Sequence, residues 1–81
     1  MIYIRDLLNK IKWDPNEHPK DYTILYYDRI KKANKKLKFD YIKEIDSIFI
    51  LVEVDDKKIN LPIHRIREVR KDGKLIWKRE P

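Results

Sequence analysis

The side chains best suited to gripping an anion crowd into one place. His64, Arg65 and Arg67 stand within four consecutive positions of LPIHRIREVRKDGKLIWKR (61–79), a stretch with seven Lys or Arg, one His, one Trp and the chain's single glycine. A guanidinium offers a rigid fork of N–H donors that fits phosphate better than an ammonium does. On a strand, Arg65 and Arg67 would share one face and Arg70 would take the other, so one pair could clamp a phosphate while the third forms an ion pair. The competing reading places these arginines in surface networks with Glu53, Asp55 or Glu68. His64 has three open roles: bonding backbone as neutral imidazole, holding phosphate as imidazolium, or transferring a proton.

Proton transfer would need a second group. His18 is the only other histidine, and two histidines with a lysine can cleave an RNA phosphodiester as base, acid and charge stabiliser. Enzymes of that kind place a Ser or Thr two residues after each His, whereas the contexts here are HPK and HRI. Catalysis is therefore the weakest reading, and His18 reads as a turn residue between prolines. Ser47 and Thr23 are the only Ser and Thr, neither in a nucleophile-elbow context. One glycine cannot build a phosphate-cradling loop. With no cysteine and two distant histidines, no metal site and no cofactor are expected. Tyr22, Tyr26, Tyr27, Tyr41 and Trp77 could stack on unpaired bases, although a domain this small needs most of its aromatics in the core.

Charge is distributed in blocks. Residues 1–28 carry four bases against five acids, 29–38 six bases and no acid, 39–60 three against six, and 61–81 seven against three. Two basic blocks thus flank an acidic middle, and the first contributes Arg29, Lys35 and Lys36 as candidate phosphate contacts. If the fold brings the blocks together, they form a surface whose affinity for nucleic acid falls steeply with salt. The 81 residues suit a single domain, 1–81, with one modest core. No leader pattern and no apolar run near the roughly 20 residues of a membrane span is present, so a soluble, cytoplasmic protein without membrane contact is expected.

These groups must be positioned by a few elements. Ile4, Leu7, Leu8 and Ile11 form one apolar helical stripe, with Arg5 and Asp6 on the opposite face. Pro15 should end that helix by Trp13, which is expected to fold back onto the stripe. WDPNEHPKD reads as an ordered turn, and YTILYYD (22–28) as a buried strand. RIKKANKKLKF reads as a hairpin arm with its tip at Lys31 to Lys36. Asp40 is expected to open a short helix through DYIKEI. DSIFILVEV (46–54) reads as the central strand, DDKK as a turn into a partner strand at 58–61, and Pro62 as its end. Asp-Gly at 72–73 predicts a tight hairpin, and a simple two-residue register sets Val69 opposite Ile76 and Glu68 opposite Trp77. The expected fold is α+β: an N-terminal helix packed on a curved antiparallel sheet of about five strands that closes with a C-terminal hairpin.

The segments RDLLNKIKWDP (5–15), DYTILYYDR (21–29), LPIHRIREVRKDG (61–73) and IWKR (76–79), taken in order, resemble the small archaeal RNA cyclic group end recognition domain family. The resemblance spans nearly the whole chain, whereas Lys31 to Asp56 fits only in hydrophobic pattern. It implies a non-catalytic module of RNA processing or repair, thought to recognise single-stranded 3′ ends bearing a 2′,3′-cyclic phosphate. Such domains accompany RNA ligase, nucleotidyl transferase or two-histidine phosphoesterase modules. The implied roles fall on the matching positions, chiefly Arg5, Asp6, Trp13, Asp14, Asp28, Arg29, His64, Arg65 and Arg67. A cyclic phosphate carries one charge against nearly two for an open monoester, so recognising it requires shape rather than charge alone. His64, Arg65 and Arg67 are accordingly the expected anion site, with Trp77 or a nearby Tyr to stack on the terminal base. The competing function is a protein interaction adaptor in an RNA-processing or ribosome-associated assembly, docking through the acidic middle and the Lys-rich tip.

Overall fold

The apolar stripe near the start does form a helix, α1 (Ile4–Trp13), and it buries Leu7, Leu8 and Ile11. The structure, a computed structural model, describes residues 3–79. Asp14 takes an extended conformation (φ −74°, ψ 121°), as the residue before a proline must, and this stops the helix. Its carboxylate Oδ1 then accepts the Asn16 N–H at 2.9 Å, which tightens the turn. Trp13 does not fold back: it is 71% exposed, with the Lys12 ammonium 5.2 Å from its ring centre. Lys12 instead donates to the Ile42 carbonyl at 3.0 Å and ties the helix to the strand beneath it.

Seven strands follow: β1 (Tyr22–Asp28), β2 (Ala33–Lys38), β3 (Ile42–Ile45), β4 (Phe49–Val54), β5 (Lys57–Pro62), β6 (Ile66–Lys71) and β7 (Lys74–Lys78). The fold is α+β, with the leading helix and closing hairpin expected, but the strands divide into two antiparallel sheets, ordered β2-β1-β6-β7 and β3-β4-β5. The chain crosses between sheets at two short 3-10 turns, η2 (Phe39–Tyr41) and η3 (Ile63–Arg65), while η1 (Pro19–Asp21) precedes β1. The helix expected from Asp40 is only η2, after which the chain is extended. The tip of the first hairpin is Arg29 to Lys32, because Ala33 already pairs with Asp28.

Turn chemistry sets the hairpins. Asp55 and Asp56 (φ 52° and 65°), and Asp72 and Gly73 (φ 50° and 84°), are the left-handed pairs that two-residue hairpin turns require. The inner faces of both sheets and α1 share one core, in which Leu8, Ile11, Ile24, Ile50, Ile66 and Val69 are completely buried. Full burial of each such side chain is worth about 1.5–3 kcal/mol. The turn before β1 is pinned to this body: the Tyr22 hydroxyl donates to Glu17 Oε1 at 3.0 Å, and Asp72 N–H donates to the Asp21 carbonyl at 2.8 Å.

Candidate nucleic-acid interface

The strand order settles where the charge blocks go. The first basic block supplies β2 and the second supplies β6 and β7, and both lie in the four-stranded sheet on either side of β1. The acidic middle makes the three-stranded sheet. Directly paired residues in a ladder project to the same face. With Tyr22 and Ile24 marking the core side of β1, the alternate residues Thr23, Leu25 and Tyr27 face outward. Opposite Thr23 stand Lys38 and Arg70, opposite Leu25 stand Lys36 and Glu68, and opposite Tyr27 stands Asn34. Beyond Glu68 and Arg70 come Lys78 and Leu75. None of these residues is buried, so among the described residues no element covers this face.

Two bulges set its detail. The pairing of β1 with β6 slips between Leu25 and Tyr26, leaving Arg67 as an extra residue. A bulged strand opposes two residues to one and re-aims the side chain between them. Arg67 therefore joins the outward face beside Glu68, with its guanidinium 5.6 Å from the centre of the Tyr27 ring. The expectation that Arg65 and Arg67 share a strand face opposite to Arg70 does not hold: Arg65 lies in η3, and Arg67 and Arg70 face the same way. Arg70 is the arginine in an ion pair, with Glu68 Oε1 at 2.8 Å. A second slip, between Val69 and Arg70, makes Ile76 the extra residue of β7. Trp77 thus stands opposite Val69 rather than Glu68, half-buried against the core, with the Arg79 guanidinium 5.2 Å from its ring centre.

At one end of this face, η3 presents His64, which is exposed, and Arg65, which is half-buried. A short turn leaves its last carbonyls without partners in the turn itself. Arg67 Nη1 donates to the His64 carbonyl at 3.1 Å. Arg79 Nε donates to the Ile66 carbonyl at 2.9 Å, and Arg79 Nη2 to that of Ile63 at 3.1 Å. Burial first, and then the Arg67 charge, hold the Arg79 guanidinium below the usual arginine value. Two guanidinium groups therefore flank one turn, and among the described residues neither has a carboxylate partner. Arg79 is the residue that the sequence reading missed, since no spacing rule marks a side chain that reaches back 13 to 16 positions.

The other candidates fall into three places. Arg5 is exposed on α1 and lines a shallow groove with Tyr3, Ser47 and Ile63, the first residue of η3. Arg29 is exposed in the first hairpin turn, where Asp28 Oδ1 accepts the N–H groups of Ile30 and Lys31 at 2.9 and 3.1 Å. Lys36 is on the open face, but Lys35 pairs with Tyr26 on the other side and its ammonium is 3.2 Å from Asp28 Oδ2. His18 precedes η1, which leads into β1 at the hairpin-tip end of β6, while His64 lies in η3 at the opposite end of that six-residue strand. Among the described residues, no group of three or more His, Asp or Glu is placed to hold a metal ion. Nor, among the described residues, is any helix long and apolar enough to cross a membrane.

Several proteins from archaea are similar to this chain along its length. A UPF0248 protein of Metallosphaera sedula is 37% identical over 76 residues, covering 94% of this chain and 91% of its own. One of Methanococcus vannielii is 33% identical over 79 residues, covering 94% and 90%. The UPF0248 protein M1425_2629 of Saccharolobus islandicus is 29% identical over 79 residues, covering 94% and 98%. No solved structure matches the chain. Residues 1–79 match the family described as the MJ1316 RNA cyclic group end recognition domain, and the chain belongs to that family.

Proposed function

We propose that this domain binds RNA ends without acting on them, and that the end carries a 2′,3′-cyclic phosphate seated where η3 meets β6. The observation that carries the reading is the turn Ile63–Arg65, which presents His64 and Arg65 beside the Arg67 and Arg79 guanidinium groups, with Tyr27 packed against Arg67. Rigid donors held by backbone hydrogen bonds suit a site that must read shape, because a singly charged cyclic phosphate attracts cations less than an open monoester does. Trp77, turned toward the core, serves this site through Arg79, and Tyr27 is the aromatic placed to meet the terminal base. The family description supports an RNA end as ligand. Work beside a ligase, nucleotidyl transferase or phosphoesterase in RNA repair is the biological setting we propose for it.

Fluorescence anisotropy tests this with one short single-stranded RNA ending in a 3′-hydroxyl, a 3′-phosphate or a 2′,3′-cyclic phosphate, each at two salt concentrations. We expect the cyclic end to bind about tenfold tighter, a difference of about 1.4 kcal/mol, and to keep that margin at higher salt. Arg65→Ala and Arg67→Ala should erase the margin. Lys36→Ala should weaken every end alike and lower the salt slope by about one, whereas Lys35→Ala, tied to Asp28 on the other side, should change neither. Equal binding of all three ends would remove the end-recognition reading.

One observation favours the adaptor alternative. Trp13, 71% exposed, lines a groove with Lys43, Glu44, Ile45 and Asp46 along β3, in the three-stranded sheet rather than the basic one. Partner capture that survives nuclease and is lost in Trp13→Ala would support that second role.

A further inference from the structure

Resting on the end-binding reading, we infer that the open face of the four-stranded sheet is a track for the body of the same RNA, and that this RNA is single-stranded. Among the described residues the face carries Lys36, Lys38, Arg67, Arg70 and Lys78, five bases, against one acid, Glu68. That acid is paired with Arg70 at 2.8 Å, so the face as a whole keeps a net positive charge. The cations do not fill the face. They line its two sides, on β2 and on β6 and β7, while the middle strand offers Thr23, Leu25 and Tyr27, with Leu75 half-exposed beyond.

This arrangement discriminates between forms of RNA. Lys36 and Lys38 lie two strand spacings from Arg67, roughly 10 Å, and three from Lys78, roughly 14 Å. A single strand can lay base faces on the apolar centre and phosphates on either bank. A duplex hides its base faces and would press charged backbone onto Leu25 and Tyr27, removing water from both without compensation. The track also has a direction. Tyr27 and Arg67 sit at the end nearest η3, and Thr23, Lys38 and Arg70 at the end nearest the hairpin turn of β6 and β7. An RNA whose 3′ terminus occupies η3 therefore runs along β1 from Tyr27 toward Thr23, with its 5′ portion leaving past Lys38. A contact made by one tyrosine ring and by charges on the phosphates is tolerant of sequence.

A covalently closed single-stranded RNA circle separates track from end, because it has no terminus. Its anisotropy titration is set beside those of a linear strand ending in a 2′,3′-cyclic phosphate and a blunt duplex of the same length. The variant is Lys38→Glu combined with Lys78→Glu, one exposed residue from each bank, its fold checked by circular dichroism. We expect the circle to bind the wild type at least tenfold tighter than the duplex does, and the double variant to lose at least tenfold for circle and linear strand alike. A circle bound as tightly as the linear strand would uphold the track and sink the end site. A linear strand bound while the circle is not would sink the track and leave the end site standing. Duplex binding equal to that of the circle, an unaffected double variant, or no RNA binding at all would each overturn the track.

Discussion

The Arg67 guanidinium lies 5.6 Å from the centre of the Tyr27 ring while its Nη1 donates to the His64 carbonyl at 3.1 Å. A single side chain thereby couples the open sheet face to the turn that displays His64. The bulge in β6 makes the link possible, since it sets Arg67 and Glu68 side by side on the outward face between the buried Ile66 and Val69.

The Tyr27 pairing predicts a separation between ring and hydroxyl. Tyr27→Phe keeps the stacking surface and should bind RNA as the wild type does. Tyr27→Ala should lose about tenfold, in the range of about 1–3 kcal/mol for a base–aromatic stack. Arg67→Lys keeps the charge but loses the planar stack, and should fall between them. If Tyr27→Ala binds single-stranded RNA normally, the ring is only a support for Arg67.

Arg79 should matter to the scaffold before it matters to any ligand. Its guanidinium satisfies the carbonyls of Ile63 and Ile66 and covers Trp77. Removing one partner of such charge-assisted bonds costs about 1–3 kcal/mol. Arg79→Ala should lower the urea midpoint accordingly, and Arg79→Lys should restore only part of it, since an ammonium cannot make both bonds with the same fork. A midpoint unchanged in Arg79→Ala would show that water replaces the guanidinium without cost.

Much of this was legible because it is written in period and turn chemistry. Four apolar residues at helical spacing gave α1, Pro15 gave its end, and Asp72-Gly73 gave the last hairpin. The β-branched and aromatic residues of YTILYYD gave β1, but not which of its tyrosines faces outward. The division into two sheets was hidden, because η2 and η3 are three-residue turns, FDY and IHR, with no signature of their own. The bulges at Arg67 and Ile76 were hidden for a different reason: each follows from how the two hairpins meet across β1 or around Trp77, a tertiary fit that no local pattern encodes. That is why Trp77 was expected beside Glu68 and stands instead opposite Val69.

Backbone strain offers a test of the turns that is free of side-chain contacts. Lys32 closes the first hairpin turn at φ 54°, a conformation that costs a side-chain-bearing residue about 1–2 kcal/mol. Lys32→Gly should therefore stabilise the domain, by up to about 1 kcal/mol after the entropy of the unfolded chain is counted. Gly73 at φ 84° should show the reverse. A Cβ there would meet nothing within 4 Å, so Gly73→Ala pays the conformational cost alone. Thermal melts of the two variants should move in opposite directions.

Stability should fall at both extremes of pH, through different residues. Burial, then the hydrogen bond to Glu17, then the charges of Glu17, Asp21 and Asp72 push the Tyr22 hydroxyl from 10.0 up to about 12. Its folded value is raised, so its contribution is whole below about pH 10 and is lost as pH climbs toward 12, where the unfolded chain gives up the proton first. Asp28 behaves oppositely. The Lys31 N–H first, then the Lys35 side chain and the Ile30 N–H, hold its carboxyl below the usual range, so its contribution is present above that range and disappears as pH drops through its lowered folded value. Urea titrations across pH should find the alkaline slope missing in Tyr22→Phe and the acid slope reduced in Asp28→Asn. Absorbance at alkaline pH should show a tyrosine ionisation near pH 12 that is absent from Tyr22→Phe. An alkaline slope that survives the loss of the Tyr22 hydroxyl would place the titrating group elsewhere and release Glu17 from the role of anchoring the turn before β1.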